Sequence, residues 1–171
     1  MPTTQKNKHI FASVGTRFPM DRLMCSLDVA IQSQSNILVT AQVGDSRFSS
    51  PRIKTNQQTS ASEFETAVKN CDIFVSHAGM GHVLLAAKFN KPLIIMPRLA
   101  SLKEHINDHQ TGTAEALEHR PLISVVHNAK ELELAILRFL DPLWSNNHSQ
   151  INEESRIRLI ESVKTFIDND E

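Results

Sequence analysis

The chain has 171 residues, with 18 basic and 19 acidic side chains and a net charge of −1. That length suits one domain with a real core and is too short for two full nucleotide-enzyme domains. Balanced charge without a basic block removes the electrostatic case for nucleic-acid binding. No apolar run nears the roughly 20 residues of a membrane-spanning helix. The polar start, residues 1–8, lacks the hydrophobic region of a signal peptide, so a soluble, cytoplasmic protein is expected. Cys25 and Cys71 lie far apart and read as buried thiols in a reducing compartment.

In chain order, residues 9–14 read as a first strand ended by Gly15-Thr16. A helix follows from Pro19 or Asp21, with Leu23, Met24, Leu27, Ala30 and Ile31 as its apolar stripe. The polar residues 33–36 close it, and 37–43 form a second, β-branched strand. Residues 44–52 are a loop with Gly44, Asp45 and Pro51. A short polar strand is expected over 53–57. Ser60-Ala61-Ser62-Glu63 is a capping box that opens a helix through Asn70. Further on, 92–96 is a continuous apolar run, as in a strand covered on both faces. Residues 97–107 read as a loop, 108–119 as a helix weakened by Gly112, and 122–126 as a strand. Asn128-Ala129-Lys130-Glu131 resembles a cap for a helix through Leu140. A linker over 141–149 leads to an amphipathic helix over about 152–167, striped by Ile157, Ile160, Val163 and Ile167. The division expected is a Rossmann-like unit over 9–149 and a terminal helix and tail over 150–171. That helix either packs on its own sheet or crosses to a partner.

The organising stretch is Ser76-His77-Ala78-Gly79-Met80-Gly81-His82. The apolar run Ile73-Phe74-Val75 leads in and an apolar helical pattern over 83–89 leads out. Strand, glycine turn and helix together present free N–H groups and the positive end of a helix dipole, which suits a phosphate. Gly79 and Gly81 permit close backbone approach, and either can take positive φ. Alternating strands and helices predict an α/β fold, a doubly wound, mainly parallel sheet. Ligands bind beyond the carboxyl ends of such strands, so the loops at Gly15, Gly79 and Pro97 should converge.

Four segments in order carry a resemblance: Phe11-Ala12-Ser13-Val14-Gly15-Thr16 with Met20-Asp21-Arg22-Leu23; Ser76-His77-Ala78-Gly79-Met80-Gly81; Lys91-Pro92-Leu93-Ile94-Ile95-Met96-Pro97-Arg98; and Glu104-His105-Ile106-Asn107-Asp108-His109-Gln110. Over roughly 9–140 they resemble the C-terminal, donor-binding half of family-28 glycosyltransferases, nearest to the PssE-like stand-alone subunits of bipartite exopolysaccharide enzymes. The resemblance implies one half of a GT-B fold, with UDP-sugar as substrate and no separate cofactor. It implies a membrane-associated acceptor-binding subunit that recruits this chain to the inner membrane face, and a lipid-linked glycan acceptor. It places the diphosphate at Gly15, Thr16, His77, Gly79, Met80, Gly81 and His82, and the sugar at Arg98, Glu104, Asp108 and Gln110. Relatives carry a ribose-binding glutamate eight residues after the histidine; here Leu85 stands there. The catalytic base is expected from the other half, and none is assigned here.

Each assignment has a plainer reading. Gly79 and Gly81 also suit a tight turn without ligand, and His77 a capped or core-satisfied ring. At His82, an imidazole either carries a proton and pairs with phosphate or crowds the site. Arg98 suits a phosphate, a sugar carboxylate or plain surface exposure. Glu104, Asp108 and Gln110 also read as a solvated loop. His105 and His109 share a helix face, but no further ligand joins them and HExxH is absent, so no metal is assigned. Asp168-Asn169-Asp170 reads as an acidic tail. No GxGxxG follows the first strand, which argues against a dehydrogenase. Fixed dipoles and cations aimed at a leaving diphosphate suit sugar transfer. Leu85 and His82 motivate the rival reading, a non-catalytic assembly or regulatory subunit that keeps the fold.

Overall fold

A computed structural model describes residues 7–144 and 153–168. The elements are β1 (Lys8–Ser13), α1 (Asp21–Ala30), β2 (Ile37–Gln42), β3 (Ile53–Asn56), α2 (Ala61–Asn70), β4 (Ile73–His77), α3 (Met80–Lys88), β5 (Leu93–Met96), a 3-10 turn (Ala100–Leu102), α4 (His109–Leu117), β6 (Ile123–Val125), α5 (Ala129–Leu140) and α6 (Glu153–Asp168). Residues 145–152 of the expected linker and helix start, and 169–171 of the acidic tail, lie outside the described residues.

The period of two along each strand divides the core. Ile10, Ala12, Ile73, Val75, Ile94 and Met96 face the layer of α1 and α5. Their neighbours Phe11, Phe74, Leu93 and Ile95 face α2, α3, α4 and α6. Strands buried on both faces need this continuous apolar content, which only a parallel sheet under two helix layers accommodates. The six strands lie in the order β3-β2-β1-β4-β5-β6. Every ladder among them is parallel. The chain reverses direction across the sheet between β1 and β4. Ser13 pairs in register with Ser76 there, and with Gln42 on the other side.

Local signals hold where side chains cap. Ser60 accepts from the Glu63 N–H while Glu63 returns a bond to Ser60, closing the box that starts α2. Asn128 accepts from the Glu131 N–H at 3.0 Å and starts α5. Two expectations fail on facing. Cys25 sits on the exposed side of α1, and only Cys71 is buried, its thiol pushed up to about 11 by desolvation. In α6, Leu159, Ile160 and Val163 pack against the α3 side of the core, whereas Ile157 is exposed and the Ile167 side chain lies outside the described residues. No helix among the described residues is long and apolar enough to cross a membrane.

Candidate functional site

A cavity of about 770 Å³ opens at the carboxyl edge of the sheet, over the β1–β4 reversal. That volume suits a nucleotide-sized ligand. Its wall draws Gly15 and Thr16 from the β1 loop, His77 and His82 from the β4–α3 turn, and Arg98 and Gln110 from beyond β5. The three loops therefore meet, as chain order predicts for ligand crevices in doubly wound sheets.

The β1 loop turns at Gly15, whose φ of 78° favours glycine. Its N–H donates to Ser13 Oγ at 3.1 Å. The next two N–H groups, of Thr16 and Arg17, have no acceptor among the described residues. Gly44, also at positive φ, lets β2 pack on this bend: a Cβ there would lie 2.8 Å from the Gly15 carbonyl oxygen.

In the β4–α3 turn neither glycine uses the positive φ open to it. Gly79 has φ −79° and is the N-cap of α3, and Gly81 lies in the first helical turn. Gly79 is needed for another reason: a Cβ there would collide with the His77 ring and lie 2.9 Å from Nδ1. The ring sits over the turn, and its Nε2 lies 3.0 Å from where a Gly15 Cβ would be. Gly81 faces open space. The N–H groups of Met80 and Gly81 have no acceptor among the described residues, as in any first turn. Gly79, Met80 and Gly81 are not among the residues that line the cavity. Gly79→Ala is expected to displace His77 and destabilise by about 1–3 kcal/mol through overpacking, whereas Gly81→Ala leaves the melting temperature unchanged or slightly raised. Thermal unfolding of the two variants checks the contrast; equal melting would refute the ring placement.

His82 sits packed among aromatic rings, where burial disfavours its charged form. It stacks on Phe64 at 5.1 Å, lies 5.5 Å from the Phe74 ring centroid and bonds through Nδ1 to Ser76 Oγ. Desolvation, with the Arg98 charge nearby, lowers it to about 4. His77 is held well below its ordinary value by burial first, then by His82 and Arg98.

Arg98 is neither a surface residue nor free for a ligand. It is 3% exposed. Its guanidinium donates to the carbonyls of Glu104 at 2.6 Å, Phe18 at 2.8 Å and Val14. It thereby staples the β1 loop to the segment after β5 while keeping its charge in the cavity wall. Glu104 and Asp108 leave the site. The Glu104 carboxylate takes a bidentate pair from Arg22 at 2.7 and 3.0 Å and the Leu99 N–H at 3.0 Å. Asp108 accepts the Ala100 N–H at 2.8 Å, tying down the 3-10 turn. Gln110 remains in the wall, bonded to the Arg98 N–H at 3.2 Å and to His77 at 3.1 Å.

The sequence reading missed Gln42 and the α2 side of the cavity, including Thr59, Phe64 and Glu65. Gln42 is 4% exposed. Its Oε1 accepts from Thr59 N–H at 3.1 Å and Oγ1 at 2.8 Å. The amide nitrogen has no acceptor among the described residues, and Gln42 lines the cavity. One signal was present: a polar residue closing an apolar strand at its carboxyl end. Leu85 lines the same side, and Glu65 there pairs with Lys88 at 2.6 Å.

Sheet order and cavity position define the class, one Rossmann-like α/β half with its ligand crevice at the strand reversal. Within that class, residues 9–168 match the glycosyltransferase family 28 C-terminal domain. The chain belongs to that family, whose fold binds nucleotide-sugar donors. Solved structures with the same fold include the glycotransferase of kitacinnamycin, at TM-score 0.68 and 15% identity over 97% of this chain and 44% of that one. MurG of Acinetobacter baumannii aligns at TM-score 0.60 and 12% identity, covering 95% of this chain and 51% of its own. MnaA of S. aureus, in complex with UDP, aligns at 0.62 and 15%, covering 95% and 46%. The chain thus spans about half the length of the structures it matches. No curated protein matches it.

Proposed function

We propose that the cavity holds the diphosphate of a UDP-sugar and that the chain is the donor-binding subunit of an inverting glycosyltransferase. The observation that carries this is the concentration of unused donors at the strand reversal, the Thr16 and Arg17 N–H groups and the Gln42 amide, beside the positive charge of Arg98, whose own N–H groups donate to main-chain carbonyls. Such donors, fixed before the ligand arrives, stabilise charge on a departing diphosphate, each worth up to about 3 kcal/mol. The diphosphate lies against Gly15, Thr16, His77 and His82, with the dipole of α3 behind them through Gly79, Met80 and Gly81. The UDP bound by MnaA supports a uridine nucleotide here. The acceptor-binding partner is the one the family resemblance of the four motif segments implies, PssE-like in arrangement: a membrane-associated subunit that presents a lipid-linked glycan and brings this cytoplasmic chain to the inner membrane face.

Isothermal titration with UDP and UDP-hexoses tests the reading. Binding in the micromolar to millimolar range is expected, weakened about tenfold in Gln42→Leu, which removes one donor and leaves Thr59 unpaired. Absence of any UDP binding at about 1 mM would sink it. Sugar transfer is expected only after reconstitution with the partner. Transfer that survives loss of nucleotide binding in His77→Ala would instead make this chain a non-catalytic assembly subunit.

A further inference from the structure

Gln110, at the start of α4, holds its carboxamide in one orientation. Its Oε1 accepts the main-chain N–H of Arg98 at 3.2 Å. That N–H can only donate, so the oxygen must face it and the nitrogen must face the other way. The other way is His77 Nδ1, at 3.1 Å. An amide nitrogen also only donates, so Nδ1 is the unprotonated nitrogen and a neutral ring carries its hydrogen on Nε2. Nε2 is the atom turned toward Gly15 in the cavity wall, and it has no acceptor among the described residues.

We propose that Gln110 is a positioning residue: it locks His77 in the Nε2–H tautomer, so that the cavity meets an anion with a neutral, directed donor. This rests on the reading of the cavity as a diphosphate site. The groups that face the ring are His82 from α3, Arg98 from beyond β5 and His105 from the segment before α4, with no carboxylate among them. Glu104, the neighbour of His105, is turned to Arg22 and Leu99. A second cation beside Arg98 is therefore disfavoured, and the tautomer lock makes a donor out of His77 without one. Affinity for a UDP-hexose, whose diphosphate does not titrate near neutrality, then stays level between about pH 6 and 8.5.

Gln110→Met keeps the side-chain volume and removes both hydrogen bonds. Gln110→Glu keeps the bond to Arg98 and sets a carboxylate on Nδ1. Long-range proton–nitrogen NMR of the imidazoles, with His77→Ala for assignment, reads the tautomer directly. Wild type is expected as Nε2–H and Gln110→Met as a mixture, with the circular dichroism spectrum unchanged. UDP and UDP-glucose should both weaken about tenfold in Gln110→Met, the worth of one directed hydrogen bond. In Gln110→Glu the carboxylate favours imidazolium, so affinity should rise as pH falls. An unchanged tautomer in Gln110→Met, a loss confined to UDP-glucose, or wild-type affinity that falls steeply with rising pH would each overturn the proposal. The expected tautomers without UDP binding by any form would support the lock and refute the nucleotide reading, so the two failures are distinct.

Discussion

Arg98→Met is expected to unfold about 5–15 °C below the wild type and to lose UDP binding. The guanidinium is the shared donor for three carbonyls, of Val14, Phe18 and Glu104, drawn from two loops far apart in sequence. Methionine fills part of the volume and supplies none of those bonds. Each buried carbonyl left unpaired costs about 1–3 kcal/mol, and the losses overlap because they share one donor, so about 2–4 kcal/mol is expected. Arg98→Lys should not rescue it: an ammonium cannot reach three acceptors spread around a planar fork. The effect on binding follows from geometry, because Arg98 holds the β1 loop that carries the Thr16 and Arg17 N–H groups. Thermal unfolding and UDP titration of both variants check this. If Arg98→Lys melts with the wild type, the staple is not what holds the loop.

Acid should destabilise the protein well before its carboxylates titrate. His82 is neutral when folded and lowered to about 4, against an unfolded value near 6.5. The sign follows directly. Above about pH 6.5 neither state binds the proton and stability is complete. Between 6.5 and 4 only the unfolded chain takes it up, so stability falls as pH falls, by about 1.4 kcal/mol per unit and about 3 kcal/mol in all. His77 and His9 are shifted the same way, both chiefly by burial. The lowered carboxylates Asp28 and Asp72 act below the window, and exposed Glu63, lowered by its bonds to Ser60, enters only at the window's acid end. Urea unfolding at pH 7 and pH 4.5 should show the loss, and His82→Phe, which keeps the ring stacked between Phe64 and Phe74, should reduce it, leaving the share of His77 and His9. An identical pH dependence in His82→Phe would exclude His82 as its source.

What could be read in advance was whatever depends on near neighbours in the chain. Ser60 with Glu63 and Asn128 with Glu131 announced two helix starts, because a cap is made within four residues. The unbroken apolar run at Leu93–Met96 announced a strand under two layers. What stayed hidden were partnerships across long stretches of chain. Glu104 looked like a sugar ligand until Arg22, 82 residues away, claimed it. Gln42 passed unremarked inside the expected strand 37–43, and only the fold shows its amide oxygen held by Thr59 at the cavity wall. Gly79 suited a phosphate, and the fold adds a second reason for glycine there, room for a ring two residues before it.

The residue order alone determined the alternation of parallel strands and helices, the three glycine- and proline-marked loops, and the edge of the sheet on which they meet. Those follow from periodicity and from the geometry of crossover connections, which are properties of the local chain. The tertiary structure alone decided which polar groups remain unpaired in the cavity, and how strongly burial disfavours the charged forms of His77 and His82 beside it. Both depend on burial and on donors supplied from distant segments, and desolvation acts only once the fold has closed around the group.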